Sequence, residues 1–320
     1  MNQQSSVGTR LPDFIIGGAP KCGTTSLHFI LAQNPSIGMP DEEIHYFDAD
    51  DPIVHPDFML GREGRLDWFD VRPEAQGNLD WYASRFARFS DRAVIGEDST
   101  TYIFSEVAAE RINTLLPDSK MIFLLRDPVK RAYSQYWHLF RSCRTYNSFE
   151  AALSKHPSIV LGSTYAPHLR RYFDVLGKDR VKVILFEEFL KDQQSCVDDV
   201  CDFIGAPRMQ VVPEKSWFNK TYYPTWTFGQ KIVNAAGGAI VAGRYRNHTE
   251  QRTGLSEKVR NKVHYYWFEY INPIFLRSEK APKMSTAARD YLRQHLSARN
   301  AGLSEMLGRD LGEVWPGFEG

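Results

Sequence analysis

The clearest chemistry-bearing residues of this 320-residue chain lie in Phe14-Ile15-Ile16-Gly17-Gly18-Ala19-Pro20-Lys21-Cys22-Gly23-Thr24-Thr25-Ser26-Leu27, where an apolar run passes into glycines, a lysine and a cluster of hydroxyls. Read as a strand, a tight loop and a helix start, the stretch leaves backbone N–H groups unpaired in the first helical turn. Together with the positive end of the helix dipole they form an anion site, usually for phosphate. Gly18, four residues and Gly23 reproduce the opening of the P-loop pattern, but Thr24 stands where that pattern needs lysine and Thr25 where it needs Ser or Thr. The cation has moved into the loop as Lys21, out of place for the β/γ-phosphates of a nucleoside triphosphate. A mononucleotide whose scissile bond lies close to its 5′-phosphate suits that relocation.

Two further sets accompany it. In Phe123-Leu124-Leu125-Arg126-Asp127-Pro128-Val129-Lys130-Arg131-Ala132-Tyr133-Ser134, Arg126 at a strand end offers a planar fork of donors suited to phosphate, and Ser134 adds a hydroxyl from the adjoining helix. In Glu43-Ile44-His45-Tyr46-Phe47-Asp48, carboxylates and an imidazole supply groups for acid–base work. Glu42 leaves open which carboxylate points inward, and His45 is an alternative base because its unperturbed pKa suits neutral pH. Cys22 is read as a small residue that fits the turn rather than a stabilised thiolate.

Residues Pro20 to Leu27 resemble the 5′-phosphosulfate loop of sulfotransferases that use 3′-phosphoadenosine 5′-phosphosulfate (PAPS), and the Arg126 to Ser134 stretch resembles their 3′-phosphate motif. The segment Glu43 to Asp48 is similar to one in the heparan-type carbohydrate sulfotransferases. The resemblance implies that Lys21, Cys22, Gly23, Thr24, Thr25 and Ser26 cradle the phosphosulfate and that Arg126 and Ser134 hold the 3′-phosphate. It implies that Lys220, in a late loop, closes over the nucleotide. It further implies that Glu43 takes the acceptor proton, that His45 assists at the sulfuryl group, that Asp48 orients a neighbour and that Lys21 neutralises the bridging oxygen. Tyr165 to Leu169 resembles a segment near the cleft, and the tail from Leu303 to Trp315 the family's closing helix. At Asp98 the chain departs from the many heparan-type members that carry lysine.

Positioning these groups requires strands that end where the loops begin. Ser36 to Pro40, Ala93 to Glu97, Lys120 to Arg126 and Val181 to Phe186 read as strands, each of the last three followed by a helical pattern. Apolar strands without alternation, separated by helices, argue for a parallel sheet covered on both faces. The expectation is an α/β, P-loop-like three-layer fold with a central parallel sheet flanked by helices. A polar tail, 1–12, precedes a single domain, 13–320, with a helical cap or insertion over 222–284. The closing helix is expected to start at the cap Ser285, bury Leu292, Leu296, Leu303 and Leu307, and stop at Gly308.

Lys+Arg and Asp+Glu each total 39, so no global field favours nucleic acid or an anionic membrane, and the anion site has to be local. No apolar run is long enough to span a bilayer, the N-terminus lacks the core of a signal peptide, and the four cysteines show no metal-type pairing. A cytoplasmic enzyme is therefore expected. No metal is expected either, since a sulfuryl group bears one negative charge and protein donors can stabilise its transfer. The function expected is transfer of a sulfuryl group from PAPS, leaving adenosine 3′,5′-bisphosphate (PAP), to a hydroxyl of a carbohydrate or glycoconjugate. The alternatives are a peptide tyrosine or small metabolite as acceptor, a P-loop kinase or switch, and a nucleotide-binding module that has lost catalysis.

Overall fold

Five strands form one parallel sheet in the computed structural model, which describes residues 10–51, 54, 76–212, 222–241 and 255–320. Strand β1 (Phe14–Gly18) leads into helix α1 (Thr24–Leu31), followed by β2 (Ile37–Gly38), α2 (Gln76–Ser84), β3 (Val94–Asp98) and α3 (Ala108–Leu115). The chain continues through β4 (Lys120–Leu125), α4 (Pro128–Arg141), α5 (Phe149–Lys155), α6 (Ser158–Leu161), α7 (Ala166–Leu176), β5 (Val181–Leu185), α8 (Phe186–Lys191) and α9 (Gln193–Ile204). The sheet order is β2-β3-β1-β4-β5, with every pairing parallel. Strands β1 and β3 are buried at every residue and β4 at all but its first, as their unbroken apolar character requires. The chain fills one side of β1 with β2 and β3, then crosses to the other for β4 and β5. Ligands of open α/β sheets bind at such a switch point, outside the carboxyl ends of the strands.

After β5 the chain forms β6 (Tyr223–Pro224), α10 (Thr227–Val241), α11 (Leu255–Tyr266), β7 (Leu276–Ser278), α12 (Thr286–Arg299) and α13 (Leu303–Leu307), with β6 and β7 paired antiparallel. Within 222–284, the expected cap or insertion, a buried polar clip ties α10 to the end of α4. Asn234 Nδ2 donates to the Phe140 and Thr145 carbonyls, Asn272 Nδ2 donates to the Arg141 carbonyl, and Gln230 Nε2 donates to Oδ1 of both asparagines. Among the described residues no helix is long and apolar enough to cross a membrane.

The closing helix differs from expectation. Rather than running from Ser285 to Gly308, it stops at Arg299 and resumes as α13 after Gly302, which sits at φ +81. The break has a cause in Asn300, whose buried amide accepts from the N–H groups of Tyr165 and Ala166 at the start of α7 and donates to the Ser163 carbonyl. Capping another helix withdraws Asn300 from helical register. Leu292, Leu296 and Leu303 are buried as expected, and Leu307 is half-buried.

Candidate active site

The β1–α1 loop is shaped by close approach. Gly18 has φ +144, and a Cβ there would lie 2.7 Å from the Thr100 carbonyl oxygen. Gly23, at φ +93, caps α1 without a side chain, and a Cβ there would meet the Phe186 ring at 2.6 Å. Lys21 itself has φ +73, a conformation few non-glycine residues adopt, costing about 1–3 kcal/mol. Cys22 is fully buried, and burial pushes its thiol up to about 11, in keeping with a packing role.

Helix α4 supplies the other wall. Asp127 caps it, its carboxylate accepting from the N–H groups of Val129 and Lys130, with Pro128 in the first turn. Arg131, buried and among the described residues without a carboxylate partner, donates through Nε to the Pro20 carbonyl at 3.1 Å and so clamps the loop. Arg126 Nη1 donates to the Lys21 carbonyl at 3.4 Å while its guanidinium lies 5.0 Å over the Phe186 ring. Tyr165 holds the two junctions together: its hydroxyl donates to the Arg126 carbonyl at 2.9 Å and lies 3.8 Å from Cys22 Sγ. The family-like segment at Tyr165 thus sits beneath the loop.

Lys21 Nζ stands 3.2 Å from His138 Nδ1. Burial, with Arg141 and Arg131 nearby, lowers Lys21 to about 8, opposed in part by Glu43. Burial and the same cations push His138 well below its ordinary value, so it is neutral at pH 7 and accepts from the ammonium. A chain of zero net charge therefore concentrates positive potential at the loop.

The third set docks on the end of β3. Ser99 Oγ accepts from the N–H groups of Ile44 and His45, and Thr100 Oγ1 donates to the Glu43 carboxylate at 3.1 Å. His45 Nε2 lies 3.2 Å from Glu43 Oε2, and His45 Nδ1 lies 3.0 Å from Thr101 Oγ1, which donates to Asp48 at 2.6 Å. Burial works against charge on Glu43, but hydrogen bonds from His45 and Thr100 outweigh it and hold the carboxyl below its usual range. Burial likewise opposes charge on His45, yet Glu43 and Asp48 raise it. Glu42 turns away to pair with Arg85, which leaves Glu43 as the carboxylate facing the strand ends. Asp98 is buried against His28 of α1, 3.4 Å away, and burial raises it to about 6.

The structure thus brings Lys21 to Ser26, Glu43, His45, Asp48 and Arg126 to the carboxyl ends of β1, β3 and β4. Ser134 lies on α4 in a cleft of about 410 Å³ shared with Arg126. Lys220 falls outside the described residues. His138 and Arg131 escaped the sequence reading as members of the site, because only the fold sets α4 against the loop.

Residues 12–210, more than half of the chain, match the Sulfotransferase family. The chain belongs to that family. Among relatives of this sulfotransferase, the bifunctional heparan sulfate N-deacetylase/N-sulfotransferase 1 of Caenorhabditis briggsae is 22% identical over 271 residues, 79% of this chain and 28% of the relative. The Homo sapiens heparan sulfate glucosamine 3-O-sulfotransferase 6 is 27% identical over 220 residues, 66% of this chain and 57% of the relative. The sulfotransferase therefore spans less than two thirds of the length of either curated relative. A solved sulfotransferase from Alicyclobacillus acidocaldarius superposes with TM-score 0.60 at 26% identity, covering 96% of this chain and 99% of that one. Membership sets aside the kinase and switch readings.

Proposed function

We propose that this sulfotransferase uses PAPS as donor and a hydroxyl of a carbohydrate or glycoconjugate as acceptor. The observation that carries the donor reading is the abutment of two anion-binding elements, the loop holding Lys21 and the cleft of Arg126 and Ser134, joined where Arg126 Nη1 donates to the Lys21 carbonyl, which suits a nucleotide phosphorylated at both its 5′ and 3′ positions. Among the described residues Arg126 Nε is buried without a hydrogen-bond partner, a donor awaiting an acceptor, so the residues present fit the group. When bound, PAPS supplies an activated sulfuryl group on its 5′-phosphate.

This chain's own residues then divide the work. The N-terminus of α1, uncapped by any side chain, and the Thr24, Thr25 and Ser26 segment receive the 5′ end of the donor. Lys21, held by His138, neutralises charge gathering on the bridging oxygen as its bond to sulfur breaks. Glu43, kept ionised by Thr100 and His45, accepts the proton of the acceptor hydroxyl as its oxygen bonds to sulfur. His45, steered by Thr101 and Asp48, fixes the Glu43 carboxylate and adds positive charge beside the transferring group. The carbohydrate acceptor is supported by the relatives, which are named for heparan sulfate and its glucosamine. The test is transfer of ³⁵S-labelled sulfate from PAPS to a panel of oligosaccharides, tyrosine peptides and phenols. Oligosaccharide labelling, abolished in Glu43→Gln while PAP binding is kept, supports the reading. Labelling of peptides or phenols alone overturns the acceptor.

A further inference from the structure

The cleft that holds Arg126 and Ser134 has an opposite wall made by α12, which contributes Arg289 and Arg293. Spaced four apart, the two arginines share one face of the helix. That face adjoins the stripe of Ala288, Leu292 and Leu296, which is buried in the same apolar cluster as Trp137 and Phe140 of α4. The wall is anchored at its start, where Tyr133 of α4 donates to the Pro282 carbonyl at 2.7 Å and Ser285 caps the helix. Arg293 is also seated. Its guanidinium lies over Gly317, where a Cβ would stand 3.0 Å from Cζ.

The charges in this cleft do not balance. Among the described residues its cations are Arg126, Lys130, Arg289 and Arg293, and its one carboxylate is Asp127. Asp127 spends one oxygen on the cap of α4 and holds the other 3.9 Å from Lys130 Nζ. Three guanidinium groups are left facing a common space, and among the described residues neither Arg289 nor Arg293 has an acidic partner. Guanidinium forks match phosphate oxygens, and a phosphate monoester carries about 1.5 to 2 negative charges at neutral pH.

We infer that Arg289 and Arg293 complete the 3′-phosphate site from the wall opposite Arg126 and Ser134, and that they set the preference for a 3′-phosphorylated nucleotide over one with a 5′-phosphate alone. The inference rests on the donor reading above and adds a pair of specificity-determining residues from the C-terminal helix. In it, the phosphate bridges α4 and α12, so occupancy fastens the two helices together.

The test is calorimetric titration of the full chain with PAP and with adenosine 5′-phosphate, which differ by the 3′-phosphate alone. Wild type is compared with Arg289→Gln, Arg293→Gln, the double variant, and Arg299→Gln as a control for charge elsewhere on α12. Each cleft variant is expected to weaken PAP by about tenfold and the double variant by about a hundredfold, leaving adenosine 5′-phosphate and the melting temperature unchanged. Equal weakening of both nucleotides, or an effect matched by Arg299→Gln, would overturn the assignment, as would no effect at all. Wild type that does not distinguish PAP from adenosine 5′-phosphate would instead sink the donor reading itself, and the inference with it.

Discussion

Lys21 and His138 lie 117 residues apart in sequence and 3.2 Å apart in space, an ammonium donating to a neutral imidazole inside a ring of arginines. Burial and those arginines bring Lys21 down to about 8, so its charge titrates within the working range of an enzyme. The folded, ligand-free protein gives up this proton as pH rises through about 8, and an anionic donor favours the protonated form. PAP affinity should be level below pH 8 and fall above it by about tenfold per pH unit. Titration from pH 6.5 to 9.5 checks this, and Lys21→Met should bind more weakly with the limb removed.

The two candidate bases have pKa values moved in opposite directions, which makes the acid limb of the rate profile diagnostic. Glu43 is held below its ordinary 4.5 and His45 is raised above its ordinary 6.5. With Glu43 as base, kcat/KM for the acceptor stays flat from pH 7.5 down to pH 5. A His45 base would instead lose activity by about tenfold per pH unit below its raised pKa.

Gly23 offers a test of the loop's geometry. At φ +93 with Phe186 carbons 2.6 and 2.7 Å from the position of a Cβ, alanine there meets both backbone strain and a ring that β5 and α8 hold in place. Gly23→Ala should cost about 2–5 kcal/mol of stability and weaken PAP binding, measured by denaturant unfolding and calorimetry.

Glu97 lies buried near the carboxyl end of β3, accepting from the Tyr82 hydroxyl, and burial raises it to about 6. A carboxyl raised above its unfolded value of 4.5 favours the folded state when protonated, so its contribution grows as pH falls through 6 toward 4.5. Glu97→Gln mimics the protonated form at every pH. Its stability relative to wild type should therefore be more favourable at pH 7.5 than at pH 5, by about 1 kcal/mol, read from melting curves at both.

What the sequence disclosed follows from how local each feature is. The Gly18 to Ser26 loop and the Arg126 to Ser134 strand-to-helix turn are continuous in the chain, so spacing alone exposed them, and the strands showed as apolar runs because both faces of the sheet are covered. Features that depend on tertiary approach stayed hidden. Asn300 breaks the closing helix because it serves α7, a partner that no local pattern reveals. Arg131 faces the loop while Lys130, its neighbour, lines the cleft, a distinction that helical phase sets only once both partners of α4 are known. Asp98 stood out as a departure, and the structure gives it a buried histidine partner in place of the surface contact a lysine would offer.

The central claim, a donor phosphorylated at both 3′ and 5′ positions, is tested most directly by calorimetric titration with PAP beside ATP and magnesium, on wild type and Arg126→Ala. The account predicts binding of PAP in preference to ATP, weakened about tenfold to a hundredfold by the substitution. Preference for ATP with magnesium, indifferent to Arg126, would contradict it.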